Sequence, residues 1–199
     1  MSELSLQVID NFLPDFYAAR EYGLSLEYGT QMFQGEAYPN VSPDWGKYPT
    51  QLLSEAFGSP VQTTLSLFRY STESSPGIDI HSDLTVDGAE WASVLYMSTP
   101  EQDAAHLSGT AFFRHKETGL RSMGPIPLMK QAGLSNDIIE QIHKDGSDET
   151  KWKLEGFVSM KSNRLVLYPC SVFHSKFGEN FGVDKETGRL IWVSFFRGV

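Results

Sequence analysis

From residue 61 onward the chain is a succession of short apolar runs separated by turn signals, at 61–70, 78–84, 92–98, 109–114, 152–159, 164–168, 172–177 and 189–197. Runs of this length, bounded by Gly, Pro, Asn and Ser, read as β-strands, and eight in one stretch predict a sandwich or jelly roll. Alternation assigns faces within the first run: Thr63, Leu65, Leu67 and Arg69 share one side, and Thr64, Ser66, Phe68 and Tyr70 the other. The predicted class is mainly β with flanking helices, a double-stranded β-helix (jelly roll).

The first 60 residues read as support for this core. A short alternating strand over 4–9 turns at Asp10-Asn11, and Pro14 opens a helix over 14–26. Residues 30–50, rich in Gly, Pro, Asn, Tyr and Trp, read as loop, and a short helix over 51–57 ends at Gly58-Ser59-Pro60. The strand series is interrupted only over 120–150, where residues 136–143 carry a helical pattern, so this stretch is expected to be an insertion and a candidate lid. With 199 residues and no linker or repeat, one domain over 1–199 is expected.

Sixteen Lys and Arg against 25 Asp and Glu give a net charge of −9, which argues against a nucleic-acid binder. A lone cysteine, Cys170, precludes an intrachain disulfide and a cysteine-rich zinc site, and reads as structural filler. The sequence holds no apolar run of about 18 residues and opens without a secretion signal, so a soluble cytoplasmic protein without a membrane partner is expected.

The chemistry sits in Ile80-His81-Ser82-Asp83. On a strand, His81 and Asp83 project to one face, with Ile78 and Ile80 on the other. A histidine and a carboxylate side by side need one more histidine to make the two-His, one-carboxylate set that holds Fe(II) and leaves positions open. His174 lies on a late strand and is a candidate. Two other His-x-acid patterns occur. His143-x-Asp145 falls at a helix end, where i and i+2 point about 200° apart. His115-x-Glu117 falls where a strand runs into a Thr-Gly turn and reads as a polar strand end, and His106 sits in an acidic loop and reads as surface.

The order of blocks around His81 resembles the Fe(II)/2-oxoglutarate-dependent oxygenases, and most closely their prolyl 4-hydroxylase-like branch. An Arg69-Tyr70 strand end precedes the His-x-Asp, an apolar run over 92–97 follows, and then comes Gly109-Thr110-Ala111-Phe112. A second apolar run over 164–168 leads to His174, and Gly188-Arg189 opens the last strand. The Val8-Ile9-Asp10-Asn11-Phe12-Leu13 opening is also common in that branch.

The resemblance implies that His81, Asp83 and His174 bind Fe(II), that Arg189 grips the far carboxylate of 2-oxoglutarate, and that Tyr70 donates its hydroxyl to the same carboxylate. Arg197 and Lys176 are rivals for the cation, and Ile191 stands where relatives often carry Ser or Thr. O2 and 2-oxoglutarate would be consumed, succinate and CO2 released, and a C–H bond hydroxylated. The retained Asp83 points to hydroxylation rather than halogenation. The implied substrate is an amino acid, peptide or other small molecule.

Substrate recognition is expected from Phe33, Tyr38, Asn40, Asp44, Trp45, Lys47 and Tyr48 of the 30–50 loop, from Asp87 and Trp91, or from the 120–150 insertion, whose helix could instead dimerise the chain. Competing readings are a cupin-type metal-binding jelly roll with other chemistry and a non-catalytic sandwich serving as an interaction module.

Overall fold

A computed structural model describes residues 6–33, 36–43, 50–77, 79–83 and 88–199. Among the described residues ten strands form two antiparallel sheets: β1 (Gln7–Asp10), β2 (Gly29–Phe33), β3 (Glu36–Pro43), β4 (Val61–Ser71), β5 (Trp91–Tyr96), β6 (Ser108–His115), β7 (Trp152–Ser159), β8 (Arg164–Pro169), β9 (His174–Gly178) and β10 (Arg189–Gly198). The larger sheet runs β1-β8-β5-β10-β4-β3-β2 and the smaller β7-β6-β9. This is the expected jelly roll.

β10 lies between β5 and β4 and is buried from Arg189 to Phe196, so both faces of the sheet can be read from it. Its inward residues Ile191, Val193 and Phe195 join Leu65 and Leu67 of β4 and Phe112 of β6 in the core between the sheets. Its other residues, Leu190, Trp192 and Phe196, pack with Phe68 under two helices, α1 (Phe16–Ser25) and α2 (Thr50–Phe57). Phe68 and Trp192 stack at 4.5 Å, worth about 1 kcal/mol beyond their burial. Gly23 lets α1 approach this stack, because a Cβ there would stand 2.6 Å from the Phe68 ring.

The outer face of the smaller sheet, Ala111, Phe113 and Trp152, is covered by the insertion. That insertion holds α3 (Ile126–Gln131) and α4 (Asn136–Lys144), and α4 buries Ile139 and Ile142 against the sheet while its other residues face outward. (A further short helix spans Pro100–Ala105.) The insertion therefore buttresses the smaller sheet from behind.

Two expectations are corrected. Residues 30–50 are not a plain loop: β2 and β3 pair as a hairpin, and β3 extends the larger sheet through Val41–Pro43 against Leu67–Arg69. Its Pro39, Pro43 and the positive-φ Asn40 hid a strand that sits near the sheet edge, where ladder hydrogen bonds are few. The expected strand over 78–84 is reduced to a single bridge, His81 to His174. Its neighbours bond elsewhere: the Ile80 N–H donates to Gly146 O at 2.9 Å and the Asp83 N–H to Cys170 O at 2.7 Å. Residues 78 and 84 lie outside the described residues.

Candidate metal centre

His81 and His174 face each other across the bridge, each N–H donating to the other's carbonyl at 3.0 and 2.9 Å. This backbone pair sets their rings 4.6 Å apart. The Asp83 turn brings its carboxylate between them, Oδ1 at 3.5 Å from His81 Nε2 and Oδ2 at 3.3 Å from His174 Nε2. All the donor atoms lie within 4.8 Å of one another. Ligand atoms held about 2.1 Å from one ion at right angles stand about 3 Å apart, so this spacing suits a metal.

The tautomers suit it too. His81 Nδ1 meets the Asp79 carbonyl at 2.7 Å and His174 Nδ1 meets the Val172 carbonyl at 3.0 Å. A carbonyl accepts only, so each Nδ1 carries a proton and each Nε2 is the ring nitrogen turned towards Asp83. The His81 side chain is 41% exposed while His174 is 7% exposed, which places the open side of the centre at His81. Tyr168, 4.6 Å from the His174 ring, and Phe112 wall the closed side.

Burial and the neighbouring groups pull the three side chains in different directions. Burial pushes the Asp83 carboxyl up, but the His174 and His81 imidazoles outweigh it and hold it below the usual range. Burial pushes His174 below the usual imidazole range, and Asp83 recovers only part of that. For His81 desolvation is outweighed by Asp83, and its pKa lies above the usual range.

Arg189, the expected co-substrate anchor, is 5% exposed and points between the sheets. Its Nε has no hydrogen-bond partner, its terminal nitrogen reaches Gly109 O only at 3.5 Å, and its guanidinium lies 5.3 Å from the centre of the Tyr96 ring. A buried guanidinium with an orphaned N–H is prepared for an acceptor the chain does not supply. Tyr96 pairs with Ile191 on this inner face, and its hydroxyl hydrogen-bonds the Thr110 hydroxyl at 2.8 Å beside Arg189.

Tyr70, the other expected co-substrate contact, lies on a different face from Arg189. It registers opposite Leu190, so it points to the helix-bearing face, where its ring packs 5.1 Å from Tyr28. The residue that faces inward is its neighbour Arg69, which registers opposite Ile191 and stacks over Tyr38 at 5.7 Å. Lys176 is the third inward cation, opposite Thr110 and two residues beyond His174. Burial and the nearby Arg189 and Arg69 bring its pKa down to about 8, and burial and Arg189 likewise depress Arg69. Arg197 is exposed and donates to Gln62 at 2.8 Å, outside the site.

Of the substrate candidates, Tyr38 reaches the interior through Arg69, and Trp91 packs away from it, 5.0 Å from Phe57. Asp44, Trp45, Lys47, Tyr48 and Asp87 lie outside the described residues, as does the side chain of Phe33. His115 forms a separate buried pair with Asp145, Nε2 to Oδ2 at 2.9 Å, while His106 stacks on Phe181 at 4.1 Å. Among the described residues no other group of three metal-ligating side chains is present. An apolar groove of about 370 Å³ between α1 and α2 contains Asp15 as its one acidic residue and lies on the far side of the larger sheet.

No curated protein matches the sequence. Solved structures share the fold. HygX from Streptomyces hygroscopicus, solved with nickel and 2-oxoglutarate, aligns at 14% identity and a TM-score of 0.55, over 98% of this chain and 84% of that one. The non-heme alpha ketoglutarate dependent carbocyclase SnoK from nogalamycin biosynthesis aligns at 15% identity and a TM-score of 0.57, over 98% and 79%. AviO1 from Streptomyces viridochromogenes Tue57 aligns at 12% identity and a TM-score of 0.56, over 97% and 89%. At these identities the likeness is one of fold, the jelly roll on which iron- and 2-oxoglutarate-dependent enzymes are built. In sequence the chain belongs to DUF6445, a family of unknown function, which matches residues 1–196.

Proposed function

We propose that this protein is a non-haem Fe(II)- and 2-oxoglutarate-dependent dioxygenase, acting as one domain, that hydroxylates an amino acid, peptide or other small molecule. The observation that carries the reading is the convergence of His81 Nε2, His174 Nε2 and the Asp83 carboxylate in the interior that also holds Arg189, whose Nε has no hydrogen-bond partner. Iron bound by such a set supplies oxygen activation coupled to oxidative decarboxylation of 2-oxoglutarate, giving succinate and CO2.

The chain's own residues do the rest. The carbonyls of Asp79 and Val172 keep the Nδ1 protons in place, so each Nε2 is the nitrogen left to bind a metal, without turning the ring, once any proton it shares with Asp83 is released. Arg189 receives the far carboxylate of the co-substrate through parallel N–H donors, with the Tyr96 and Thr110 hydroxyls beside it taking the role expected of Tyr70. Tyr168 and Phe112 exclude water from the closed side, leaving the His81 side for substrate. The motif order around Arg69, His81, Asp83 and His174 supports the prolyl 4-hydroxylase-like branch.

The reading is tested by following 2-oxoglutarate conversion to succinate under air with added Fe(II). Wild-type protein is expected to turn over and His174→Ala to fall to background. Turnover that survives His174→Ala, or needs no Fe(II), contradicts it.

A further inference from the structure

We propose that the substrate carries an oxyanion, a carboxylate or phosphate group, and that Arg69 and Lys176 hold it. The inference rests on the functional reading above and narrows its substrate class.

Three cations face the interior from three strands: Arg69 on β4, Lys176 on β9 and Arg189 on β10. Arg69 and Arg189 are diagonal neighbours, since Arg69 pairs with Ile191 and Ser71 with Arg189, and they line a common small cavity. Lys176 shares its face with His174, two residues away on the facing sheet. Among the described residues, none of the three has an ion-pair partner. The carboxylate at the centre, Asp83, is engaged by the imidazoles. Arg189 is buried while Arg69 and Lys176 are half-buried, and like charges gathered this closely at the edge of an interior favour anions that the fold does not itself contain.

The co-substrate accounts for only part of this. A divalent metal, the Asp83 carboxylate, a dianionic 2-oxoglutarate and the Arg189 guanidinium already balance. Arg69 and Lys176 then add two positive charges, of which a substrate carboxylate offsets one and a phosphate dianion both. The chemistry of the pair fits the task. The Arg69 fork, fixed against the Tyr38 ring, offers parallel N–H donors to two oxygens of one group, and Lys176 adds a point charge from the opposite sheet. Lys176 stands two residues from His174 on β9, so an anion held here would place the rest of a small molecule near the centre.

The test uses the full chain, loaded anaerobically with Mn(II) and 2-oxoglutarate so that no turnover occurs, and titrated calorimetrically with acetate and with inorganic phosphate. Loaded wild-type protein is expected to bind at least one of the two saturably, and which one binds tells a carboxylate from a phosphate substrate. Arg69→Leu and Lys176→Met should each weaken that binding about tenfold or more, while 2-oxoglutarate affinity stays within about threefold. Arg69→Lys, which keeps the charge and loses the fork, should fall in between, and it serves if the leucine variant does not fold. The proposal is overturned if loaded wild-type protein binds neither anion. It is equally overturned if Arg69→Leu or Lys176→Met loses 2-oxoglutarate as severely as Arg189→Ala, because those cations would then belong to the co-substrate. If wild-type protein binds neither Mn(II) nor 2-oxoglutarate, the functional reading fails, whereas Arg69-dependent acetate or phosphate binding to the bare protein would still uphold the anion site.

Discussion

Arg189 is the residue on which the co-substrate assignment turns. Its buried Nε is left without an acceptor, so its replacement should affect the co-substrate and spare the metal. Arg189→Ala is expected to raise the 2-oxoglutarate concentration for half-maximal turnover about 30-fold or more, the loss typical of one partner in a buried charge-assisted pair, with Fe(II) affinity unchanged. Arg197→Ala, on the surface against Gln62, should change neither. An equal loss in both variants would contradict the assignment. Residue types were legible at this scale and one orientation was not. Arg69 and Tyr70 are adjacent on a strand, so only one of them can face inward. The alternation that puts Leu65 and Leu67 inside puts Arg69 there too and sends Tyr70 to the helices. The family pattern pointed to Tyr70, and the face pattern already present in 61–70 pointed to Arg69.

At the scale of elements, the insertion acts on the metal centre from behind. Its last turn supplies the Gly146 carbonyl that accepts from Ile80 N–H, one residue before His81. Asp145 anchors that turn by bonding His115 at 2.9 Å, and the Trp152 indole donates to the Asp145 carbonyl at 2.8 Å. A Cβ on Gly146 would stand 2.8 Å from Ile80 O, so the close approach requires glycine. Gly146→Val should push the His81 segment away and weaken Fe(II) binding about tenfold, in the range found when supports of metal ligands are removed. Gly77→Ala, with open space around its Cβ, should not. Equal Fe(II) affinity in both would remove the insertion from the metal site. None of this was readable from the chain, because His115 and Asp145 are 30 residues apart and each had a plausible local partner, Glu117 and His143. Regular elements fared better. The strands of β4 to β10 and the helix over 136–143 followed from period and turn residues, whereas the β2–β3 hairpin, with Pro and Asn in its strands, carried no such signal.

Across the whole molecule, acid sensitivity follows from carboxylates that their hydrogen-bond and ion-pair partners hold in the charged form. Asp10 joins β1 to β8 through Arg164 and Lys161, and side-chain bonds to these two keep its carboxyl well below the ordinary 3.8. Asp145 is held down by His115, and Glu155 by Arg121 and Arg114. A carboxyl whose pKa is lower folded than unfolded stabilises the fold fully above its unfolded value, and that contribution disappears as pH falls through the folded one. The urea midpoint is therefore expected to drop as pH falls from about 5 to below about 4, the range in which these carboxyls lose their charge. A midpoint that rises on acidification would contradict these pairings.

The central claim is that His81, Asp83 and His174 form one metal centre that shares its interior with a 2-oxoglutarate site. An anaerobic Fe(II) titration, with and without 2-oxoglutarate, tests it most directly through the weak visible charge-transfer absorption of the chelated metal. The account predicts a band that needs both additions and is lost in Asp83→Ala and in His174→Ala. Iron binding that is indifferent to Asp83 and His174, or bound iron that gives no band with 2-oxoglutarate, would contradict it.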